Sequence, residues 1–300
     1  MSNHIQLWKT WSEIEPYQLK NTTKNIQGYS IAGLRTNFFI QPDLMLDAGI
    51  SAPFQPKYIL ITHGHGDHIA NLPFHLYVKN ENAPKIIIFC PKQIVMLIDN
   101  YIASMFALAN PNPNPDAFLD YDKPKNYEII GVDGQTNPIE IILNKQPHLL
   151  EFYNCVHSVP CVGYGISIIK NKLKAEYIGL EQNEIKKLKF SKVEICEKVI
   201  LKEFYFSGDT THELFTSEKG KQILKYPNII IECSFVSDDD LNHAEEKKHM
   251  CWSNLKPYVE SNHQTQWILT HFSQKYKKEY IDDFFSQTNL PNIKIWCNLK

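Results

Sequence analysis

The chain has 300 residues, with 31 lysines and arginines against 33 aspartates and glutamates and a formal net charge of −2. That balance supplies no global attraction for nucleic acid, so an RNA substrate would have to be held by a local basic patch. Hydrophobic residues make up 43% of the sequence, enough for a substantial core, and the composition reads as globular.

In chain order, Met1 to Gln18 lacks a basic segment followed by an apolar stretch, so no secretory signal is read. Short runs rich in isoleucine, valine and aromatics then recur, and several end in a residue able to bind metal. "LMLDAG" ends near Asp47, and "YILITHGHGDH" carries His63, His65, Asp67 and His68. The apolar region from Lys85 to Asn110 is interrupted by Pro91, Lys92 and Asp99; it predicts a strand followed by a buried helix and no membrane span. "NPNPNPDAFLDYDKP", Asn110 to Pro124, is too proline-rich for a helix interior and predicts a loop. "LLEFYNCVHSV" leads to His157, "EFYFSGDT" to Asp209 and "QWILTHFS" to His271.

The remaining segments fill in the architecture. Continuous apolar runs bounded by turns suit strands buried on both faces. Pro91–Leu108, His212–Lys225, His243–Asn262 and Tyr276–Gln287 suit helices, which gives a layered α/β fold. No repeat or long linker divides the chain, so a single domain spanning residues 1–300 is expected, with a lysine-rich insertion near residues 170–202. The lysines of that insertion alternate with Glu176, Glu181, Glu184, Glu194 and Glu197, the pattern of a solvated mixed-charge surface. Seven cysteines without CxxC pairing fit reduced thiols in an intracellular, reducing compartment, cytoplasmic by preference.

The chemistry concentrates in the histidine cluster. Unpaired imidazoles and a carboxylate are costly to bury, whereas imidazole nitrogen and carboxylate oxygen are ligands for zinc and similar divalent ions. His63 and His65, one residue apart after a strand, can share one ion. Asp67 and His68 can reach a second, with Gly64 and Gly66 expected to relieve the bend between them. His157 can complete the first site and His271 the second, and Asp209 can bridge both. Two ions roughly 3.5 to 4 Å apart hold a hydroxide between them and stabilise attacking and leaving oxygens in phosphoryl displacement. Asp67 is the choice for orienting or deprotonating that nucleophile.

"THGHGDH" resembles the HxHxDH signature of the metallo-β-lactamase superfamily, and the order His157, Asp209, His271 fits that family's remaining ligands. The resemblance implies a four-layer αββα sandwich with a dinuclear site at one edge. "LKAEYIGLEQNEIKKLK" with "FSGDTT", "IIIECSF", "HAEEKKHM" and "ILTHFSQKY" are similar to segments of the short form of ribonuclease Z, the endonuclease that removes the 3′ trailer of precursor tRNA. It implies Glu232 and His249 as a paired carboxylate and proton donor for the departing ribose oxygen, and Asp47 as a residue that orients the ligand loop without binding metal. Ser273 and Lys275 are expected to contact a substrate phosphate. The implied cofactors are two divalent ions, Zn2+ by preference with Mn2+ or Fe2+ as alternatives, and the implied partners are precursor tRNA and a second copy in a homodimer. The alternative activity is a metal-dependent hydrolase of a smaller phosphodiester on the same site. The glycine- and proline-rich arm of bacterial members is absent, and the lysine-rich segment Lys170–Lys202 is its candidate substitute.

Overall fold

Strand alternation decides the layering. In a computed structural model describing residues 11–76, 84–109 and 126–299, the strands form two seven-stranded sheets in simple sequential order. The first holds β1 (Tyr17–Gln18), β2 (Asn25–Ile31), β3 (Arg35–Ile40), β4 (Leu44–Leu46), β5 (Tyr58–Leu60), β6 (Ile86–Pro91) and β7 (Tyr127–Val132). The second holds β8 (Ile139–Leu143), β9 (Gln146–Asn154), β10 (Val162–Leu173), β11 (Cys196–Phe206), β12 (Asn228–Glu232), β13 (Gln266–Thr270) and β14 (Ile293–Ile295). The helices are α1 (Gly66–Ile69), α2 (Val95–Leu108), α3 (Gln182–Phe190), α4 (Glu218–Lys221), α5 (Leu241–Lys247), α6 (Trp252–Ser261) and α7 (Lys278–Ser286).

Successive residues of a strand face opposite sides of the sheet, and here both sides are apolar. Tyr58 and Leu60 join a cluster that also contains Phe152, Phe204, Ile230 and Ile268 of the second sheet. Ile59 turns the other way, toward Ile98 and Ile102 on the inner face of α2. Ile229, Ile231, Trp267 and Leu269 likewise meet Trp252, Leu255 and Val259 of α6 and Ile281 and Phe285 of α7. The result is helix, sheet, sheet, helix: the four-layer α/β sandwich expected from the sequence. At about 25 cal/mol per Å2 of apolar surface removed from water, this double-sided burial is the main term favouring the fold.

Directionality then gathers the functional residues. β4 to β7 run parallel, as do β11 to β14, and β9 shares the direction of β11 because both are antiparallel to β10. Asp47, His63, His157, Asp209, Glu232 and His271 therefore lie at or just past carboxyl ends of strands, on one edge of the sandwich. This is where open α/β sheets commonly build sites.

Three local expectations need correction. His243–Asn262 is not one helix: α5 ends at Lys247, Lys248 is left-handed (φ 57°), and residues 249–251 lie outside any helix before α6. Phe235 donates to the Met250 carbonyl and Trp252 donates to that of Phe235, so backbone pairing with the segment after β12 outcompetes helix continuation. His212–Lys225 is three short helical turns, because Ser217 caps a new start by accepting from the Gly220 amide. Gly64 and Gly66 have ordinary backbone angles and no crowding, since a Cβ on Gly66 would meet nothing within 4 Å. Beside the site the crowding falls at Gly49, where a Cβ would stand 1.7 Å from the Asp67 carbonyl oxygen, and at Gly208 (φ 64°), where one would stand 2.5 Å from Thr62 Cβ.

The lysine-rich segment is a projecting hairpin. β9 accompanies β10 only as far as Ile168, and β12 accompanies β11 only at Tyr205 and Phe206, so pairs from Ile169–Ile200 to Leu173–Cys196 form a two-stranded ribbon beyond the sheet. α3 sits at its tip with a Glu181–Glu184 capping box and no buried residue. The loop expected over Asn110–Pro124 lies outside the described residues. Among the described residues, no helix is long and apolar enough to cross a membrane.

Candidate metal centre and active site

His63, His65, His157 and Asp209 form one ligand set, and Asp67, His68 and His271 form another, each with its donor atoms within 4.8 Å of one another. In the first, His65 Nδ1 lies 3.1 Å from His63 Nε2 and 3.2 Å from His157 Nε2. In the second, His68 Nε2 and His271 Nε2 are 3.2 Å apart, with Asp67 Oδ2 3.3 Å from His271 Nε2. Ligands of a tetrahedral zinc at its usual Zn–N distance of 2.0–2.1 Å stand about 3.3 Å from each other. The donor spacing therefore fits a divalent cation in each set.

Asp209 links the two. Its Oδ2 lies 3.6 Å from His63 Nε2 and 3.9 Å from His157 Nε2, and its Oδ1 lies 3.3 Å from His68 Nε2 and 3.4 Å from His271 Nε2. Oδ1 is buried and has no hydrogen-bond partner among the described residues, an orphaned acceptor of the kind a cation satisfies. Burial opposes ionisation of Asp209, but the positive potential of His271, His68 and His63 holds it well below the usual carboxylate range. Asp67 is also depressed, against its burial, by the hydrogen bond from His271 and the charges of His68 and His271.

What aims the ring nitrogens is a set of fixed partners on the opposite side of each ring. His68 Nδ1 donates to Asp47 Oδ2 at 2.8 Å, His157 Nδ1 to the Lys248 carbonyl at 2.9 Å, His271 Nδ1 to Ser234 Oγ at 3.1 Å and His63 Nδ1 to Thr62 Oγ1 at 3.0 Å. With Nδ1 engaged in this way, Nε2 is the nitrogen that each of the four rings turns toward the ligand sets. Asp47, fully buried, also accepts from the Thr62 amide at 2.7 Å, which ties β4 to the histidine loop. The Gly33 amide donates to Asp67 Oδ2 at 2.8 Å.

Glu232 is 1% exposed and saturated with donors. Its Oε1 accepts from the Thr210 amide at 2.7 Å and from His249 Nδ1 at 2.9 Å. Its Oε2 accepts from Ser234 Oγ at 2.6 Å and the Met250 amide at 3.1 Å. Burial would lower the His249 pKa, but the charge of Glu232 and its hydrogen bond override that and raise it to about 9. The His249 ring lies 5.0 Å from that of His157 and 5.7 Å from that of His271, centroid to centroid. His249 thus stands beside both ligand sets.

Residues 38–80 match the family described as the Metallo-beta-lactamase superfamily. The chain is 30% identical over 279 residues to tRNase Z TRZ1 of Arabidopsis thaliana, covering 89% of this chain and 93% of that protein. It belongs to the ribonuclease Z family. Solved structures agree on the fold: a metallo-beta-lactamase fold protein, YhfI of Bacillus subtilis, superposes with a TM-score of 0.55 at 14% identity over 93% of this chain and 99% of that one. Human tRNase Z, short form, gives 0.53 at 16% over 92% and 97%.

All seven expected ligands of this ribonuclease Z family member, together with Asp47, Glu232 and His249, lie in the one cluster. Ser273 and Lys275 do not join it. The Lys275 ammonium is taken by Asp240 Oδ1, and the Ser273 amide donates to the Ser234 carbonyl. Sequence reading missed Thr62 and Ser234. Ser234 touches Glu232, His249 and His271 at once, and its only signal was a hydroxyl two residues past a strand-end glutamate. Thr62 carried none beyond preceding His63.

Proposed function

We propose that this chain is a metal-dependent endoribonuclease that hydrolyses one phosphodiester to release the 3′ trailer of precursor tRNA. The observation that carries the reading is the Glu232–His249 pair, 2.9 Å apart, facing the two ligand sets. Hydrolysis of a thioester, whose thiolate leaves unaided, has no use for it, whereas a departing ribose oxygen needs a proton.

In this reading His63, His65, His157 and Asp209 hold one divalent ion, and Asp67, His68, His271 and Asp209 hold the other. Zinc is preferred on ligand chemistry, and manganese or iron would accept the same donors. The pair of ions would supply an activated water at neutral pH and neutralise charge on the phosphate. Asp67 orients the attacking water. His249 Nε2 delivers the proton to the leaving oxygen, while Glu232, held by Thr210, Ser234 and Met250, fixes the imidazole and favours its cationic form. Asp47 sets the angle of His68.

The lysine ribbon between Lys170 and Lys202 is the surface we assign to tRNA docking. We read residues 1–300 as one domain, which the apolar cluster shared by both sheets supports. A homodimer is supported by α2, whose Met96, Leu97 and Leu108 are 75, 64 and 77% exposed, an apolar face of a kind that favours association. Seven free cysteines support a reducing, intracellular compartment.

The test is incubation with a precursor tRNA carrying a 3′ trailer, with and without chelator, beside bis(p-nitrophenyl) phosphate. The reading predicts cleavage at the trailer junction that chelator abolishes. Hydrolysis of the small ester alone would replace it with a small-phosphodiester hydrolase.

A further inference from the structure

A recess of about 550 Å3 is lined by much of the loop Cys155–Cys161, including His157 of the first ligand set. That volume lies within the range of roughly 300–1,000 Å3 common for small-molecule sites. Three carboxamides line it: Gln93 just after β6, Gln135 in the turn after β7, and Asn154 at the end of β9. Asn154 is anchored, because its Oδ1 accepts from the Gly134 amide at 2.7 Å. Gln93, Gln135 and Asn154 are all exposed residues, so the Asn154 amide nitrogen and both glutamine amides are open to solvent or to a ligand. Val159 and Pro160 add apolar surface.

The charge pattern narrows the ligand. Lys92, a lysine of the recess, is paired with Asp133, so among the described residues the walls present no free lysine for a phosphate. Uncharged groups offering donors and acceptors together with an apolar wall suit a heterocyclic base, whose edge pairs with carboxamides and whose face packs on aliphatic surface. A base reaches such a recess only when unpaired, which is how sequence is read in RNA.

We propose that this recess is a nucleobase subsite, which takes the base of an unpaired nucleotide flanking the scissile phosphate and reads its edge through Gln93, Gln135 and Asn154. The proposal rests on the phosphodiesterase reading of the metal centre and extends it to substrate selection. His157 then serves as the boundary between the phosphate, held at the ions, and the base, held in the recess.

The experiment is calorimetric binding of the four nucleoside 5′-monophosphates and of ribose 5-phosphate to the zinc-loaded chain. At least one nucleotide is expected to bind about tenfold tighter than ribose 5-phosphate, the size of one or two added hydrogen bonds. The doubly substituted Gln93→Ala, Gln135→Ala chain should lose that advantage by weakening the nucleotide alone, and Gln135→Glu, which removes donors but keeps acceptors, should change which base is preferred. Equal binding of nucleotides and ribose 5-phosphate, or a preference that survives the double substitution, overturns the subsite. Cleavage of precursor tRNA on the same preparation separates the two claims. Base-selective binding without RNA cleavage refutes the endoribonuclease reading and leaves the recess standing. RNA cleavage without base selectivity does the reverse.

Discussion

Replacing Glu232 by glutamine keeps the shape of the side chain but removes the charge that holds His249 at about 9. If the imidazole returns only to its ordinary value of about 6.5, the shift is about 2.5 units, or about 3.4 kcal/mol in favour of the neutral form. A raised value means that the acid is fully charged at low pH and is lost as pH rises through it. With no cation beside it, the protonated fraction at pH 8 falls from roughly nine-tenths to roughly 3%, whereas at pH 6 roughly three-quarters remains. Bound cations slide both profiles to lower pH together, so their displacement of about 2.5 units is the quantity the assay reads. The assay is single-turnover cleavage of precursor tRNA from pH 5.5 to 9 by both chains: the variant should approach the parent in acid and fall away steeply in alkali. Parallel pH profiles would refute the reasoning and reduce Glu232 to a structural support. Thermal unfolding serves as a control, because the Thr210 and Met250 amides and Ser234 Oγ lose part of their acceptor, a cost of about 1–3 kcal/mol.

The other perturbations test the scaffold. Gly49→Ala forces a methyl against the Asp67 carbonyl oxygen and should cost about 2 kcal/mol or more in urea unfolding, whereas Gly66→Ala, facing open space, should stay within about 0.5 kcal/mol. Asp47→Asn removes the charged acceptor from His68 Nδ1 and should weaken metal binding about 10- to 100-fold, read by chelator competition. Lys24→Met strands Glu203, which accepts from Lys24 Nζ at 2.7 and 2.9 Å and lies 3.3 Å from His148 Nε2; about 3 kcal/mol of stability should be lost at neutral pH. Glu203 is held below its ordinary value against burial by His148 and Lys24. Its contribution is therefore present above about 4.5 and disappears as acid titrates the folded carboxylate, so the parent and Lys24→Met stabilities should converge below that range.

Legibility in the sequence followed from how locally each feature is encoded. His63, His65, Asp67 and His68 were readable because four ligands fall within six positions, and His157, Asp209 and His271 because each follows an apolar run. The alternation of Ile229, Ile230 and Ile231 between two clusters was implicit in runs apolar on both faces. His249 was not readable by periodicity. It depends on a helix break made by pairing of residues 249–251 with Phe235, a contact that local propensity does not encode. Ser234 and Thr62 act through hydroxyls whose importance arises from what the fold brings opposite them. Gly64 and Gly66 were misread because spacing shows where the chain bends and not whether a side chain would fit; the constraint sits at Gly49, packed against the carbonyl of Asp67, and at Gly208, packed against Thr62. The lysine segment was legible as exposed charge, whereas its ribbon form follows from neighbouring strands ending early.

Metal stoichiometry tests the central claim most directly. Elemental analysis of the purified chain, stripped and reloaded with zinc, should give two ions per chain, and His157→Ala should give close to one, since its loss leaves Asp67, His68, His271 and Asp209 intact. A parent chain that binds no transition metal, or that cleaves precursor tRNA at full rate after stripping, would contradict the account.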